Sequence, residues 1–377
     1  MSLLLSISFL LFTLYVLTLL SLAFAWIASP VFRSREERPS STISVVIAVR
    51  NEVKNIEACL RRIAIQDYPS SLLEVILVDD HSEDSTLAEA QKAFTGYPFT
   101  FRILSLDTEE KGKKAALAKG ISGATGKLIV TTDGDCTPAS KNWLKTIAAF
   151  YEKKNALLII APVALIRERG FLSAFQSLEF MGLGIITGAA AKLGKAVMCN
   201  GANLAFESAV FFEAGAYAGN AHIASGDDVF LMNKIQEKYP GKVHYLKSPE
   251  ALVLSSPAKT AGEFVQQRLR WAGKFGANRN GFNFYLGILV LTANLLFVVL
   301  AALSCFFPQL AKYLVLIASS KWLIDFLLVF LAALSLKQTR VLWWYLPAML
   351  VNPIYVCFTV AAGFLTKPVW KGRKIKR

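Results

Sequence analysis

The chain lacks a paired cysteine pattern. Its five cysteines include no Cys-x-x-Cys, and Cys305 and Cys357 lie inside apolar runs. Neither a disulfide framework nor a zinc site is indicated. Charge is absent from Leu3 to about Ile27, a stretch long enough to span a bilayer. No basic region precedes it, and it is long for the apolar part of a signal peptide. Despite Ala23-Phe24-Ala25, an uncleaved anchor is therefore expected. Acids are scarce beside bases, 27 against 41, for a formal net charge of +14. Such a balance points to nucleic acid or to a membrane surface. Much of the excess flanks apolar segments, in Arg33, Arg35 and Arg38 and again in Lys367, Lys371, Arg373, Lys374, Lys376 and Arg377. That placement selects membrane lipids as partners and argues against nucleic acid.

Of the 377 residues, 54% are hydrophobic, and the apolar excess sits at the two ends. Phe282 to Phe307, Tyr313 to Leu336 and Val341 to Leu365 are each of membrane-spanning length. Lys321 and Asp325 lie four apart in the second and are expected to pair within the helix. Pro347 and Asn352-Pro353 predict a kinked or re-entrant third block. The division expected is an anchor over 1–30, a globular domain over 41–275, a membrane region over 282–366 and a basic tail over 367–377. The positive-inside rule puts that domain in the cytoplasm, as part of an integral protein of the cell (inner) membrane. A cytoplasmic tail is also expected, which requires one of the apolar blocks to be irregular.

Within the middle, Ile43 to Val49, Leu73 to Val78, Phe99 to Leu104 and Lys127 to Thr131 read as strands. They alternate with helical spacing over Glu57 to Ile65, Ser85 to Ala93 and Lys113 to Ile121, predicting an α/β domain with a mostly parallel sheet. The apolar interval Phe171 to Leu193 is interrupted by Gln176 and Glu179 and reads as a buried or interfacial helix.

The polar clusters Arg50-Asn51-Glu52, Asp79-Asp80-His81-Ser82 and Asp133-Gly134-Asp135 then fall at the carboxyl ends of strands, where open α/β sheets bind ligands. Ile129 to Thr132 stops at Asp133-Gly134-Asp135. Alternation along an extended segment points both carboxylates one way, and like charges so placed call for a proton or a cation between them. A hard divalent metal holding phosphate oxygens suits two carboxylates; an ordinary Asp-Gly turn is the other reading. Asp79-Asp80 is open to a turn and helix-cap reading, as is Asp227-Asp228 before Val229 to Ile235.

In order, the clusters are Ala48-Val49-Arg50-Asn51-Glu52, Asp79-Asp80-His81-Ser82, Asp133-Gly134-Asp135, Cys199 to Phe206, Ser225 to Leu231 and Gln267-Arg268-Leu269-Arg270-Trp271. From about Ile43 to Trp271 this resembles a membrane-bound family 2 glycosyltransferase of the GT-A fold, similar to enzymes of the ceramide glucosyltransferase and poly-N-acetylglucosamine synthase kinds. The resemblance implies a nucleotide-sugar donor and Mg²⁺ or Mn²⁺ held through Asp135 with Asp133. It places Ala48, Arg50, Glu52, Asp79, Asp80, Lys113 and Asp133 on the donor nucleotide and Asp228 as catalytic base. Gly201, Asn203, Asp227, Gln267, Arg270 and Trp271 fall on the acceptor or diphosphate side. A solvated helix start is the plain alternative for Lys113, and an interfacial amphipathic helix that for Gln267, Arg270 and Trp271.

The activity so implied is an inverting, metal-dependent transfer from a UDP-hexose or UDP-N-acetylhexosamine to a membrane lipid or lipid-linked acceptor. A processive polysaccharide synthase is the neighbouring possibility. A non-catalytic nucleotide-sugar-binding scaffold is the alternative from another class; it would have lost a metal acid or the base, and both are retained.

Overall fold

The structure, a computed structural model, describes residues 2–34, 39–218, 226–272, 281–365, 369–370 and 373–374. Among the positions singled out above, Arg35, Arg38, Ser225, Lys367, Lys371, Lys376 and Arg377 lie outside the described residues. In chain order the elements are α1 (Ser2–Ile27), β1 (Ile43–Val49), α2 (Ile56–Ala64), β2 (Leu73–Asp79), α3 (Thr86–Phe94), β3 (Thr100–Ser105), α4 (Lys113–Ser122), β4 (Leu128–Asp133), β5 (Cys136–Pro138) and α5 (Trp143–Lys154). Then follow β6 (Leu158–Ile160), β7 (Val163–Leu165), α6 (Phe171–Lys192), β8 (Leu204–Glu207), α7 (Ser208–Glu213), α8 (Asp227–Lys238), β9 (Val243–Tyr245) and β10 (Val253–Ser255). The rest are α9 (Ala261–Ala272), α10 (Gly281–Phe306), α11 (Ala311–Ser335), α12 (Tyr345–Leu365) and the hairpin β11 (Val369–Trp370) and β12 (Arg373–Lys374).

These elements form two units, an α/β unit (Pro30–Ile166 and Ala191–Ser256) and a helical unit (Met1–Ser29, Arg167–Ala190 and Pro257–Ile375). Helices α6 and α9, placed in the globular domain by a boundary at 275, instead group with the apolar helices.

The α/β unit is built on a seven-stranded sheet in the order β3-β2-β1-β4-β8-β6-β9. The four N-terminal strands run parallel; β8 is antiparallel to both its neighbours. Parallel strands buried on both faces need unbroken apolar runs, and β1 and β2 supply them. Val45, Ile47 and Leu77 pack on α2, α3 and α5, while Val46, Ile76 and Val78 turn to α4 on the other face. Helix α4 comes so close that a Cβ on Gly120 would lie 2.6 Å from Val46 Cγ1. Register pairs Ala48 with Asp133 and Val49 with Asp79, so β1, β2 and β4 end at one level. A second sheet, β5-β10-β7, covers three short strands.

In the helical unit, α1, α6, α10 and α11, and α12 with the turn before it, are long and apolar enough to cross a membrane, five such segments among the described residues. The Lys321 Nζ–Asp325 Oδ2 pair forms as expected at 2.6 Å, and Tyr15 Oη of α1 donates to the same carboxylate at 2.6 Å. Helix α12 is continuous through Pro353, and a 3₁₀ turn over Thr339–Trp344 leads into it.

The polar breaks in α6 have partners within the unit. Gln176 exchanges two hydrogen bonds with the Ala258 main chain, at 3.0 and 2.9 Å. Glu179 accepts from Arg268 Nε at 2.9 and 2.8 Å and from Tyr355 Oη at 2.6 Å. Arg268 is 3% exposed, and its guanidinium stacks over Phe264 and Trp271. In the sequence Arg268 occupies an unassigned position between Gln267 and Arg270. The matching signal was Glu179, an acid inside an apolar run that needs a cation. Removing one partner of a buried ion pair costs about 3–5 kcal/mol because the other charge is left desolvated. Arg268→Leu should therefore lower the midpoint of thermal unfolding by several degrees, and Arg268→Leu with Glu179→Leu should recover much of it, as read by intrinsic fluorescence in detergent.

Candidate active site

The site is built where β1, β2 and β4 stop. Extended structure ends at Asp133, and Gly134-Asp135 forms a turn before β5, so the two carboxylates do not converge by strand alternation. They converge because the turn is tight. A Cβ on Gly134 would stand 2.9 Å from Val49 Cγ1 and 3.2 Å from Glu52 Cγ. The turn reading and the paired-acid reading thus both hold. The same reversal brings in Cys136, which alternation would have sent to the opposite face. Ligand atoms of Asp133, Asp135 and Cys136 all lie within 4.8 Å of one another. The Cys136 thiol donates to Asp135 Oδ1 at 3.4 Å, and the Cys59 thiol faces the Asp133 carbonyl at 3.6 Å.

Electrostatics supports a cation there. Burial, with the charges of Asp133 and Glu52, pushes the Asp135 carboxyl up to about 6. Two hard carboxylates and a third nearby acid suit Mg²⁺ or Mn²⁺ by donor chemistry; the thiol, held protonated by burial and by Asp135 and Asp133, adds little for such ions.

Lys113 forms the other half of the site. Gly112, at φ +100°, turns the chain into α4 in a conformation that favours glycine, so Lys113 opens that helix. Its ammonium pairs with Asp133 Oδ1. Burial would strip its proton, but Asp133, Asp227 and Asp228 outweigh that and hold the group well above the usual lysine range. Lys113 is thus a partly buried cation shared by the acids rather than a solvated helix start.

Asp228 lies in the first turn of α8, after Gly226 at φ +90°. Its carboxylate accepts from Gly201 N at 3.0 Å and Val229 N at 2.8 Å. A Cβ on Gly201 would meet Lys113 Nζ at 3.6 Å and Asp228 Oδ2 at 3.8 Å. Thr131 Oγ1 ties the Gly201 carbonyl to β4 at 2.8 Å. Glu52, Lys113, Asp133, Asp135, Gly201, Asp227 and Asp228 therefore come together at one end of the sheet.

Other residues assigned to ligand contact are taken up by the protein itself. Arg50 donates to the carbonyls of Asp80 at 2.7 Å and His81 at 3.0 Å and pairs with Glu83, pinning the loop after β2. Asp79 accepts from Ser82 N at 3.2 and 3.1 Å, the turn-forming role open to it from sequence, and Asp80 is enclosed at 1% exposure. Ala48 contributes its place in the register opposite Asp133. Asn203 is the clearest correction. It is fully buried, accepts from Trp143 Nε1 at 3.0 Å, and donates to the carbonyls of Pro162 and Ala251 at 2.7 and 2.8 Å. The 3₁₀ turn over Gly201–Asn203 leaves Gly201 at the acids and rotates Asn203 into the core. Asn203→Ala would strand an indole N–H and two carbonyls, each worth about 1–3 kcal/mol when buried unpaired. A marked fall in thermal midpoint is expected, with any folded fraction keeping wild-type KM for donor.

Gln267, Arg270 and Trp271 lie on α9 of the helical unit, half-buried, with Trp271 6.2 Å from the Phe180 ring.

A doubly covered, mainly parallel sheet with paired acids at its carboxyl edge defines an α/β unit that binds its ligand beyond the strand ends. Residues 44–211 match the model of glycosyl transferase family 2, and residues 128–365, more than half the chain, match that of glycosyl transferase family group 2. The chain belongs to the family 2 glycosyltransferases. It is 27% identical over 228 residues to glycosyltransferase AglE of Haloferax volcanii, covering 60% of this chain and 71% of that protein. It is 31% identical over 132 residues to a dodecaprenyl-phosphate galacturonate synthase of Rhizobium johnstonii, covering 34% of this chain and 38% of that one. The fold is similar to that of a mannosyltransferase from Pyrobaculum calidifontis solved with GDP-Man and Mn²⁺, with TM-score 0.58, 19% identity, and 96% and 94% of the two chains covered.

Proposed function

We propose that this glycosyltransferase moves a sugar from a nucleoside diphosphate donor, a UDP-hexose or UDP-N-acetylhexosamine, to a lipid or lipid-linked acceptor with inversion at the anomeric carbon. The reading is carried by one observation, the gathering of Asp133, Asp135, Lys113 and Asp228 at the end of β4. Asp135 and Asp133 would hold Mg²⁺ or Mn²⁺. Such a cation, when bound, neutralises charge on the departing diphosphate. Lys113 adds a fixed positive charge beside Asp133 for the same developing negative charge. Asp228 accepts the acceptor hydroxyl's proton at its carboxylate, which Gly201 N and Val229 N keep oriented. One positioned carboxylate suffices for a single in-line displacement, which inverts the anomeric configuration. Gln267, Arg270 and Trp271 keep in this proposal the acceptor or diphosphate roles that the family motif implies.

A lipid acceptor is supported by the five membrane-length helices and by a relative named for a polyprenyl phosphate. A cytoplasmic α/β unit on the cell membrane is part of the same reading. The decisive experiment incubates the full chain in native lipid with Mn²⁺ and radiolabelled UDP-glucose, UDP-N-acetylglucosamine or GDP-mannose, then separates products by solvent extraction and size. One labelled sugar per lipid is expected. A long polymer would transfer the protein to the polysaccharide synthases, and donor binding without any release of nucleoside diphosphate would make it a scaffold.

A further inference from the structure

In the helical unit, the start of α6 and the segment joining α11 to α12 line a cavity of about 850 Å³. Arg167, Arg169, Lys337 and Arg340 stand around it, with Glu168 as the acid on its wall. All four cations are exposed, and none makes an ion pair among the described residues. Gly170 and Ser173 at the start of α6 line the same space, and the first turn of this 22-residue helix contains no acid. The helix therefore adds its partial positive charge to that of the side chains.

Beside this cavity lies an open groove of about 380 Å³, lined by Phe326, Leu342 and Trp343 and sharing Thr339 and Arg340 with it. Trp343 is 88% exposed, and Trp344, which lines the cationic cavity, is 39% exposed. Both lie in the turn that opens the last membrane-length segment, Thr339–Gly363, and indole rings at the ends of such segments settle at the head-group level.

We propose that this paired feature is a binding site for an anionic, phosphate-headed membrane lipid. The head group is held by Arg167, Arg169, Lys337 and Arg340, and the upper part of an acyl chain lies along Phe326, Leu342 and Trp343. Charge selects the occupant. Basic pockets at the ends of membrane helices recognise anionic head groups, and Arg presents a planar donor fork that matches phosphate oxygens. The groove selects an amphiphile over a free anion, because inorganic phosphate has nothing to place on Phe326 or Trp343. The site uses none of the residues assigned to sugar transfer.

The test uses the full chain, purified in mild detergent and offered phosphatidylglycerol, phosphatidylcholine or inorganic phosphate, with retained ligand read by native mass spectrometry. Phosphatidylglycerol should be retained about tenfold or more over phosphatidylcholine. Retention should fall by about that factor in Arg167→Gln with Arg340→Gln, and also in Arg169→Gln with Lys337→Gln should the first pair fold poorly. Trp343→Ser should weaken lipid retention while leaving phosphate binding unchanged. Equal retention of the two lipids, undiminished retention in a folded double variant, or displacement of phosphatidylglycerol by equimolar phosphate would each overturn the proposal.

Discussion

Asp228→Asn should reduce turnover by about 10²–10⁴-fold, the range that general base catalysis supplies, with donor KM nearly unchanged. The substitution keeps shape and keeps an oxygen able to accept from Gly201 N, now 3.0 Å from the carboxylate. The turn that leads into β8 and the start of α8 should therefore stay joined. What disappears is the basic lone pair for the acceptor proton and one of the negative charges around Lys113. The lysine keeps Asp133 as its direct partner, so the fold should survive. Initial rates over a donor series, beside a thermal midpoint, separate the outcomes. A fully active Asp228→Asn protein would remove Asp228 as the base, and a fall confined to donor KM would reassign it to donor binding.

The second large effect belongs to Asp135. Its carboxyl is pushed from the ordinary aspartate value of 3.8 up to about 6 by burial, then by Asp133 and Glu52. A group raised in the folded state contributes stability that is complete below its unfolded value and is lost as pH rises through the folded one. Without metal, Asp135 therefore destabilises the protein above about pH 6. Asp135→Asn should raise the metal-free thermal midpoint at pH 7.5 while abolishing measurable transfer. Mn²⁺ should raise the midpoint of the wild type by several degrees, since a ligand at 100 times its Kd adds about 2.7 kcal/mol. The variant should show little response. In the wild type the Mn²⁺ response should fade as pH falls below about 6, where the proton competes with the metal for Asp135. A metal-induced shift of equal size in Asp135→Asn would place the cation elsewhere.

Both predictions turn on residues that the chain order already singles out. The strand ends at Val49, Asp79 and Asp133 were legible because a parallel strand buried on both faces must be apolar throughout, so the first polar residue marks its edge. That local rule carries through to function, since strand ends in such a sheet share one level and the polar residues there face a common space. It does not say which side chain points into that space. Arg50 and Asn203 share a motif context with Asp228 and Glu52, yet the first two direct their side-chain hydrogen bonds to main-chain carbonyls inside the protein. Cys136 and Arg268 gained their contacts through a turn and a long-range pairing that no periodicity encodes.

By itself, the sequence determined the alternation of buried strands and amphipathic helices, the membrane-length segments and the family, because each rests on short-range pattern and residue order. Tertiary structure decided what depends on direction and on partners far along the chain. It bent Asp133-Gly134-Asp135 into a turn whose acids still converge, placed Lys113 among Asp133, Asp227 and Asp228, and grouped α6 and α9 with the apolar helices. The physical reason is the same in each case. A buried charge is tolerated only where an opposite charge or a hydrogen-bond donor meets it, and those partners lie tens to hundreds of residues away.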